Sequence, residues 1–240
     1  MSADGADGWG GVASLGPGWF RYAGVLGTAE THAHHTVQVI VARRGEVVLA
    51  DASGARLGCR ACVIPADVPH AVVRGVDEMV LTHLDPETPE GRELGRSVDP
   101  PHSVGAWSRA GDVLRARTAA PQVEPRFPRH PAVATVLRLL PERLDGPPVR
   151  LSEMARAVNL SESRLAHLFS EEVGLPFRPY VLWLRMRRAM EMVAAGRSLT
   201  EAAHEAGFAD SAHLSRVSRR MFGIAPSQFT RGVEWVADGP

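Results

Sequence analysis

The strongest constraint on this 240-residue chain is an internal repeat in its C-terminal half. Leu151, Ala155, Asn159 and Leu160 recur as Leu199, Ala203, Gly207 and Phe208, 48 residues further on. After one inserted residue, Leu165, Phe169, Gly174, Leu175 and Tyr180 recur as Leu214, Ser218, Gly223, Ile224 and Phe229, at an offset of 49. Self-similarity at a fixed period means a repeated supersecondary unit. In each copy a short helical run meets a turn residue, Asn159 or Gly207, and a second run follows. In the second copy Leu214, Val217, Met221 and Phe222 fall at i, i+3, i+7 and i+8, the spacing of one helix face against a core. Ser215, Arg216, Arg219 and Arg220 take the other face. Two helices, a tight turn and a basic outer face on the second helix spell helix-turn-helix, expected over 151–173 and 199–222. Ser161 reads as an N-cap, ahead of a helix carrying Leu165, Leu168, Phe169 and Val173. Ser218 stands where the first copy has Phe169, so it should leave a cavity or turn its hydroxyl back to the Leu214 carbonyl.

Between the units, Phe177–Ala195 is a continuous helical pattern with Leu182, Met186, Ala189 and Val193 as its seam, ended by Gly196. At 1.5 Å per residue it spans about 28 Å. Successive major-groove segments on one face of B-DNA lie roughly 34 Å apart, so such a helix suits two recognition helices on one chain. Upstream, His130–Leu144 is helical by the spacing of Val133, Val136, Leu137 and Leu140, with Pro141 expected to bend or trim it.

The N-terminal half has a different period. After a start expected to be flexible, residues alternate through Val37, Val39 and Val41, Arg43-Arg44-Gly45 makes a turn, and Glu46–Ala50 pairs back. Arg56–Ile64, His70–Arg74 and Met79–Leu84 read as further strands, with Pro65–Pro69 as a stiff loop. Short strands with closely spaced turns suggest a sandwich or barrel. His32, His34 and Gln38 are separated by even numbers, so on a strand they share a face and His35 points away. His70 can approach that face from a later strand. Cys59 and Cys62 form a lone Cys-x-x-Cys, half a structural zinc site at most, and on one strand their sulfurs would point to opposite faces. Asp85–Phe127 is rich in Pro, Gly and charge; Val104–Arg117 fits a helix with Val104, Trp107, Val113 and Leu114 on its apolar face, and Pro121, Pro125 and Pro128 mark a boundary.

Composition serves mainly to exclude. The formal net charge is zero, so there is no global basic signal for nucleic acid, and all 27 basic residues are arginine. Residues 148–240 hold 12 Arg against 10 acidic residues, a weak tilt toward DNA at that end. No apolar run approaches the ~18 residues of a membrane span, and the N-terminus has no signal-peptide pattern. The expected location is cytoplasmic.

Residues from about 130 to 231, with GFADSAHLSR and then RRMFGIAPSQF, resemble the AraC/XylS-type DNA-binding domain. The spacing His-x-His-x3-Gln-x6-Gly (His32, His34, Gln38, Gly45) followed by Pro65-x4-His70 resembles the two motifs of the cupin superfamily. Together they imply an α+β two-domain chain: an all-β cupin-like, effector-binding barrel over 14–88, a connector with short helices over 89–128, and an all-α domain over 129–232 with two helix-turn-helix motifs joined by a long helix. Metal-binding cupins use three histidines and a glutamate. Here Gln38 replaces the glutamate, Asp67 a glycine and Arg74 an asparagine. Two readings stay open: a metal-free pocket of His32, His34, Gln38 and His70 for a small polar ligand, or a divalent ion on His32, His34 and His70.

By the AraC pattern, Ser163, Arg164, Ala166 and His167 face the bases from the first unit, and Ser211, Ala212, His213, Ser215 and Arg216 from the second. Arg216 is the foremost candidate, since a guanidinium can bond guanine O6 and N7 together. Arg219, Arg220, Arg187 and Arg188 suit phosphates or ion pairs. The resemblances imply a non-enzymatic transcription regulator whose partners are double-stranded DNA, a small-molecule effector and RNA polymerase, with no membrane, as monomer or homodimer. The rival is a metal-dependent cupin enzyme carrying a DNA-binding module; a third reading makes the barrel only a dimerisation scaffold.

Overall fold

The computed structural model describes residues 9–117, 130–144, 148–227 and 232–236. Its contacts divide the chain into two compact units, residues 1–124 with 216–240, and residues 125–215. The expected boundary prolines 121, 125 and 128, and Phe229 of the repeat, lie outside the described residues.

The first unit is built on strands. β1 (Gly10–Gly16), β2 (Trp19–Leu26), β9 (Val76–Leu84), β4 (Val37–Ala42), β7 (Ala61–Ile64) and β10 (Val233–Val236) form one six-stranded sheet, in the order β10-β1-β2-β9-β4-β7. β3 (Ala29–His32), β8 (His70–Arg74), β5 (Val47–Asp51) and β6 (Arg56–Cys59) form a second sheet in the order β3-β8-β5-β6. Among the described residues the strands thus make two sheets, not one continuously hydrogen-bonded barrel.

Where the sequence pattern gives a flexible start, residues 10–16 form a strand. β1 and β2 form an antiparallel hairpin from Gly10↔Val25 to Gly16↔Trp19, and β10 adds to β1 in parallel. Three glycines in the seven residues of β1 hide the alternation that marks a strand. β4 departs from simple alternation too. Val37, Gln38, Val39 and Ile40 are all buried, because β4 lies between β9 and β7 while helices cover its outer side.

The expected strand Arg56–Ile64 is two strands, broken at Arg60, where the chain leaves the second sheet for the first. That break corrects the reading of the cysteines. Both are buried free thiols, and they are hydrogen-bonded to one another, which lowers the Cys59 pKa and, with burial, raises that of Cys62.

Two helices complete this unit. α1 (Pro89–Arg96) starts at Thr88, whose hydroxyl accepts the Gly91 N–H, with proline in its first turn. α2 (Val104–Arg117) packs on β7 and buries Val104, Ala106, Trp107 and Ala110. Val113, expected on its apolar face, is 58% exposed. The first free N–H of α2, on Val104, is taken by Asp51 Oδ2 from β5 at 3.1 Å, a cap supplied 53 residues away.

The second unit holds α3 (Pro131–Arg143), α4 (Leu151–Ala157), α5 (Glu162–Val173), α6 (Phe177–Ala194), α7 (Leu199–Glu205) and the first turn of α8 (Ser211–Phe222). α3 runs through Pro141 to Arg143, so the proline does not end it. α6 is about 27 Å long at 1.5 Å per residue. Its buried residues are Phe177, Tyr180, Val181, Trp183, Met186 and Ala189; Leu182 and Val193, placed on the seam by sequence, are only half-buried.

The repeat is visible in the backbone. Asn159 takes φ +55° and Gly207 φ +76°, both in the left-handed region open to asparagine and glycine. In both turns the same two bonds close the preceding helix: Leu160 N to Ala155 O and Asn159 N to Arg156 O in the first, Phe208 N to Ala203 O and Gly207 N to His204 O in the second. The next helices begin on Ser161, which accepts the Arg164 N–H, and on Asp210, which accepts the His213 N–H. Phe169 anchors the first copy, its ring edge-on to Phe177 and Tyr180 at 5.5 and 5.4 Å.

Candidate functional site

α5 and α8 each bury one stripe and expose the other. Leu165, Leu168, Phe169 and Val173 are buried in α5, while Ser163, Arg164 and His167 are exposed. In α8, Leu214, Val217, Ser218 and Met221 are buried; Arg216, Arg219 and Arg220 are exposed, and Ser211, His213 and Ser215 are half-buried. Among the described residues these three arginines have no ion-pair partner, so their guanidinium groups stand ready for an anion. His167 pairs with Glu171 one turn on at 3.8 Å, and Arg187 with Glu191 at 3.2 Å. His213 Nδ1 accepts the Ala209 N–H at 3.4 Å, which makes Nε2 the protonated nitrogen and a donor. Ser218 is buried, and its hydroxyl donates to Ile224 O at 3.0 Å, not to the Leu214 carbonyl.

The second candidate lies within the strand unit. His32, His34, Gln38 and His70 are all at most 6% exposed and come together, although β3 ends at His32 and His34 sits on the loop beyond it. Even spacing on one strand is therefore not what brings the two histidines together. The ring centres of His32, His34 and His70 lie 4.4–4.9 Å apart, and one nitrogen from each falls within 4.8 Å of the others. Asp67, standing where the cupin pattern has glycine, adopts φ +60° and binds His35 through its carboxylate. Its backbone N–H donates to His34 O at 2.7 Å, so the loops carrying the two histidine motifs are tied together.

A fourth histidine was missed by sequence. His83 on β9 pairs in register with Gln38 on β4, and its ring lies 4.5 Å from that of His34. Strand parity alone could not select it, because the register between β4 and β9 is set by the fold. Its Nδ1 bonds Thr36 Oγ1 at 2.8 Å. Burial holds all four imidazoles below the usual range: His70 and His83 are lowered to about 3, chiefly by desolvation and also by the neighbouring rings. His32 and His34 are lowered by the same cause, and His34 well below its ordinary value. At neutral pH the cluster is uncharged.

The tautomers are set from outside. A carbonyl can only accept, so His32 Nδ1–H donates to Glu30 O (2.6 Å) and His70 Nδ1–H to Val68 O (2.9 Å). Each ring is left with an Nε2 lone pair. That of His70 is buried without a partner, as is Gln38 Oε1. Neither nitrogen of His34 completes a hydrogen bond of ordinary geometry, and the nearby Gln38 amide offsets its lowered pKa only in part. Unpaired buried acceptors cost free energy, about 1–3 kcal/mol each, and a bound donor or cation would relieve it. Neutral imidazoles with backbone carbonyls behind them are also how proteins prepare histidine for a divalent metal ion. The donor set therefore fits such an ion. Lining this cluster are Trp107, 6.1 Å from His70, and Phe222 at the end of α8, 5.6 Å from His34 and 5.5 Å from His83. A separate cleft of about 430 Å³ opens beside β3, lined by Glu30 and Arg219 among others, and includes none of the four predicted pocket residues.

Among the described residues no helix is long and apolar enough to cross a membrane. The chain is 30% identical over 90 residues to the Msm operon regulatory protein of Streptococcus mutans, covering 37% of this chain and 32% of that one. It is 31% identical over 85 residues to the arabinose operon regulatory protein of Salmonella typhimurium, covering 35% and 30%. The matches thus span about a third of the length of these relatives. In structure the chain is similar to ToxT from Vibrio cholerae O395, with a TM-score of 0.55 at 12% identity over 89% of this chain and 97% of the other, a likeness of fold. Residues 154–232 match the family described as a helix-turn-helix domain. These findings support the AraC-type reading of residues 154–232, which are similar to that helix-turn-helix family and to proteins named as operon regulators.

Proposed function

We propose that the protein is a cytoplasmic, sequence-specific transcription regulator, not an enzyme, and that α5 and α8 are its two recognition helices. The observation that carries this reading is the twice-built unit. The same turn, hydrogen bonds and capping precede two helices that expose Ser163, Arg164 and His167 in one case and Arg216, Arg219 and Arg220 in the other. Arg216 and His213 are assigned to base edges: the guanidinium to guanine O6 and N7, the His213 Nε2–H to one acceptor. Ser163, Arg164, His167, Ser211 and Ser215 flank them, and Arg219 and Arg220 neutralise phosphates. RNA polymerase is the expected protein partner, and the protein acts as monomer or homodimer.

The effector site is assigned to His32, His34, Gln38 and His70. It takes a small polar ligand that donates to the unpaired acceptors, or a divalent ion held by His32, His34 and His70. An ion there would supply a Lewis-acidic positive charge that draws an anionic group, since no carboxylate of the cluster offsets it. Effector binding shifts DNA affinity to the extent that the two DNA-binding states bind it unequally.

Selection from a random duplex library tests the central reading. The expected product is a two-part motif whose affinity falls steeply with salt; enrichment of no sequence would refute it.

A further inference from the structure

The last turn of α8 rests on the side chains that form the histidine cluster. Gly223, which ends the helix at φ +70°, lies so close to β3 that a Cβ there would be 2.8 Å from His32 Nδ1 and 3.1 Å from Glu30 O. Those two atoms are the donor and acceptor of the bond that fixes the His32 tautomer. One residue earlier, Phe222 covers His34 and His83 with its ring. Two residues before that, Arg220 O accepts the Ala33 N–H at 3.3 Å, on the short link between His32 and His34. Every one of these contacts falls inside the first compact unit. A helix end has thus been placed on His32, the last residue of β3, and on His34, on the loop beyond it, and not on His70, which stands on β8 behind Trp107.

We propose that this turn, Arg219–Ile224, is the element that reads the occupancy of the cluster, and that its ligand is a divalent first-row transition-metal ion. The inference rests on the effector-site reading above and adds how that site is read. Binding draws the Nε2 atoms of His32, His34 and His70 toward one point. His32 cannot turn without disturbing the Glu30 bond against which Gly223 is seated, and His34 cannot turn without moving under Phe222. Occupancy therefore fixes the turn; removal leaves His34 with two unsatisfied nitrogens and the turn free to shift. His83 stays outside the ligand set, since the nitrogens that gather within 4.8 Å are those of His32, His34 and His70, and it acts as a positioning residue whose ring supports Phe222 from beneath.

The test uses the full chain, stripped with a chelator and reloaded with Co²⁺ alone. Expected are one bound equivalent with visible absorption of an imidazole-ligated ion, lost in His70→Ala, and amide exchange across Arg219–Ile224 at least about tenfold slower than in the stripped protein. In Phe222→Ala, which leaves all three ligands in place, Co²⁺ should bind yet leave at least about tenfold faster. The proposal is overturned if no Co²⁺ binds, if exchange in that turn is the same with and without it, or if Phe222→Ala releases it at the wild-type rate. Duplex selection by the same stripped and loaded samples separates the two readings. A protein that selects DNA but holds no Co²⁺ sinks this inference alone; one that holds Co²⁺ but selects nothing sinks the regulator.

Discussion

Replacing Gly223 by alanine measures how tightly the end of α8 is held against β3. Two costs add. A left-handed backbone, φ +70°, costs an alanine about 1 kcal/mol relative to glycine. The methyl group would then lie 2.8 Å from His32 Nδ1, 3.0 Å from Ala29 Cβ and 3.1 Å from Glu30 O. Two of those atoms belong to backbone or a Cβ in a strand, and the third to a ring that is 6% exposed and hydrogen-bonded, so none is the loose end of a flexible chain. Relieving such overpacking costs about 1–3 kcal/mol. Gly54, in the turn between β5 and β6, is the control. It has φ +86° and nothing within 4 Å of its would-be Cβ, so Gly54→Ala carries the first cost without the second. Urea unfolding followed by tryptophan fluorescence suits the comparison, because Trp183 alone of the five tryptophans lies in the second unit. Gly223→Ala should lose about 2–4 kcal/mol and Gly54→Ala about 1 kcal/mol. Equal losses would refute the close seating of α8 on β3.

Three further outcomes follow from the same structure. Arg216→Ala should weaken binding to the selected duplex by about 1–3 kcal/mol and relax one base position, read by repeating the selection; an unchanged base preference would return Arg216 to the solvated face. Ser218→Ala should cost about 1 kcal/mol by removing the donor to Ile224 O. Ser218→Phe, which the repeat alone suggests would stabilise, should instead lower the melting temperature, and a raised one would show a cavity beside the serine. Acid should unfold the strand unit early. His70 and His83 stay neutral in the fold down to about pH 3, while the unfolded chain takes up their protons below about 6.5. The unfolded state then binds more protons, so this stability is fully present above pH 6.5 and falls with pH by up to about 1.4 kcal/mol per unit per histidine. A flat urea midpoint between pH 7 and pH 5 would contradict it.

The helical half was legible because its signals are local. Left-handed turn residues, serine caps and 3.6-residue stripes act within a few residues, so the repeat located both helix pairs, and Val104–Arg117 emerged with the observed bounds. Where tertiary packing chose among equivalent faces, reading failed: Trp183 is buried in α6 and Leu182 is not, and Val113 faces outward. The strand half was legible only in part. β1 carries too much glycine to show alternation, and β10 acquires a partner more than two hundred residues away. The break at Arg60 is a change of sheet, which no local pattern announces. Among the candidate site residues, His32, His34, Gln38 and His70 could be named from the cupin-like motif, although the strand-parity argument for His32 and His34 does not hold. His83 and Phe222 could not, because one depends on strand register and the other on where a distant helix comes to rest.

The parallel pairing of β10 with β1 makes the order of synthesis matter. Gly11 is paired with Val233, so β1 leaves the ribosome more than two hundred residues ahead of the strand that covers its edge. Until then β1 has its β2 partner on one side and an open row of amides and carbonyls on the other, a template for any passing strand. Closing a loop of this length adds little equilibrium cost, since the entropy grows only with its logarithm, but it is slow to find. The stretch from β1 to β10 is thus a window of vulnerability in the life of each new molecule. A chain cut short after α8 would keep that edge exposed and should be found in aggregates more than in solution.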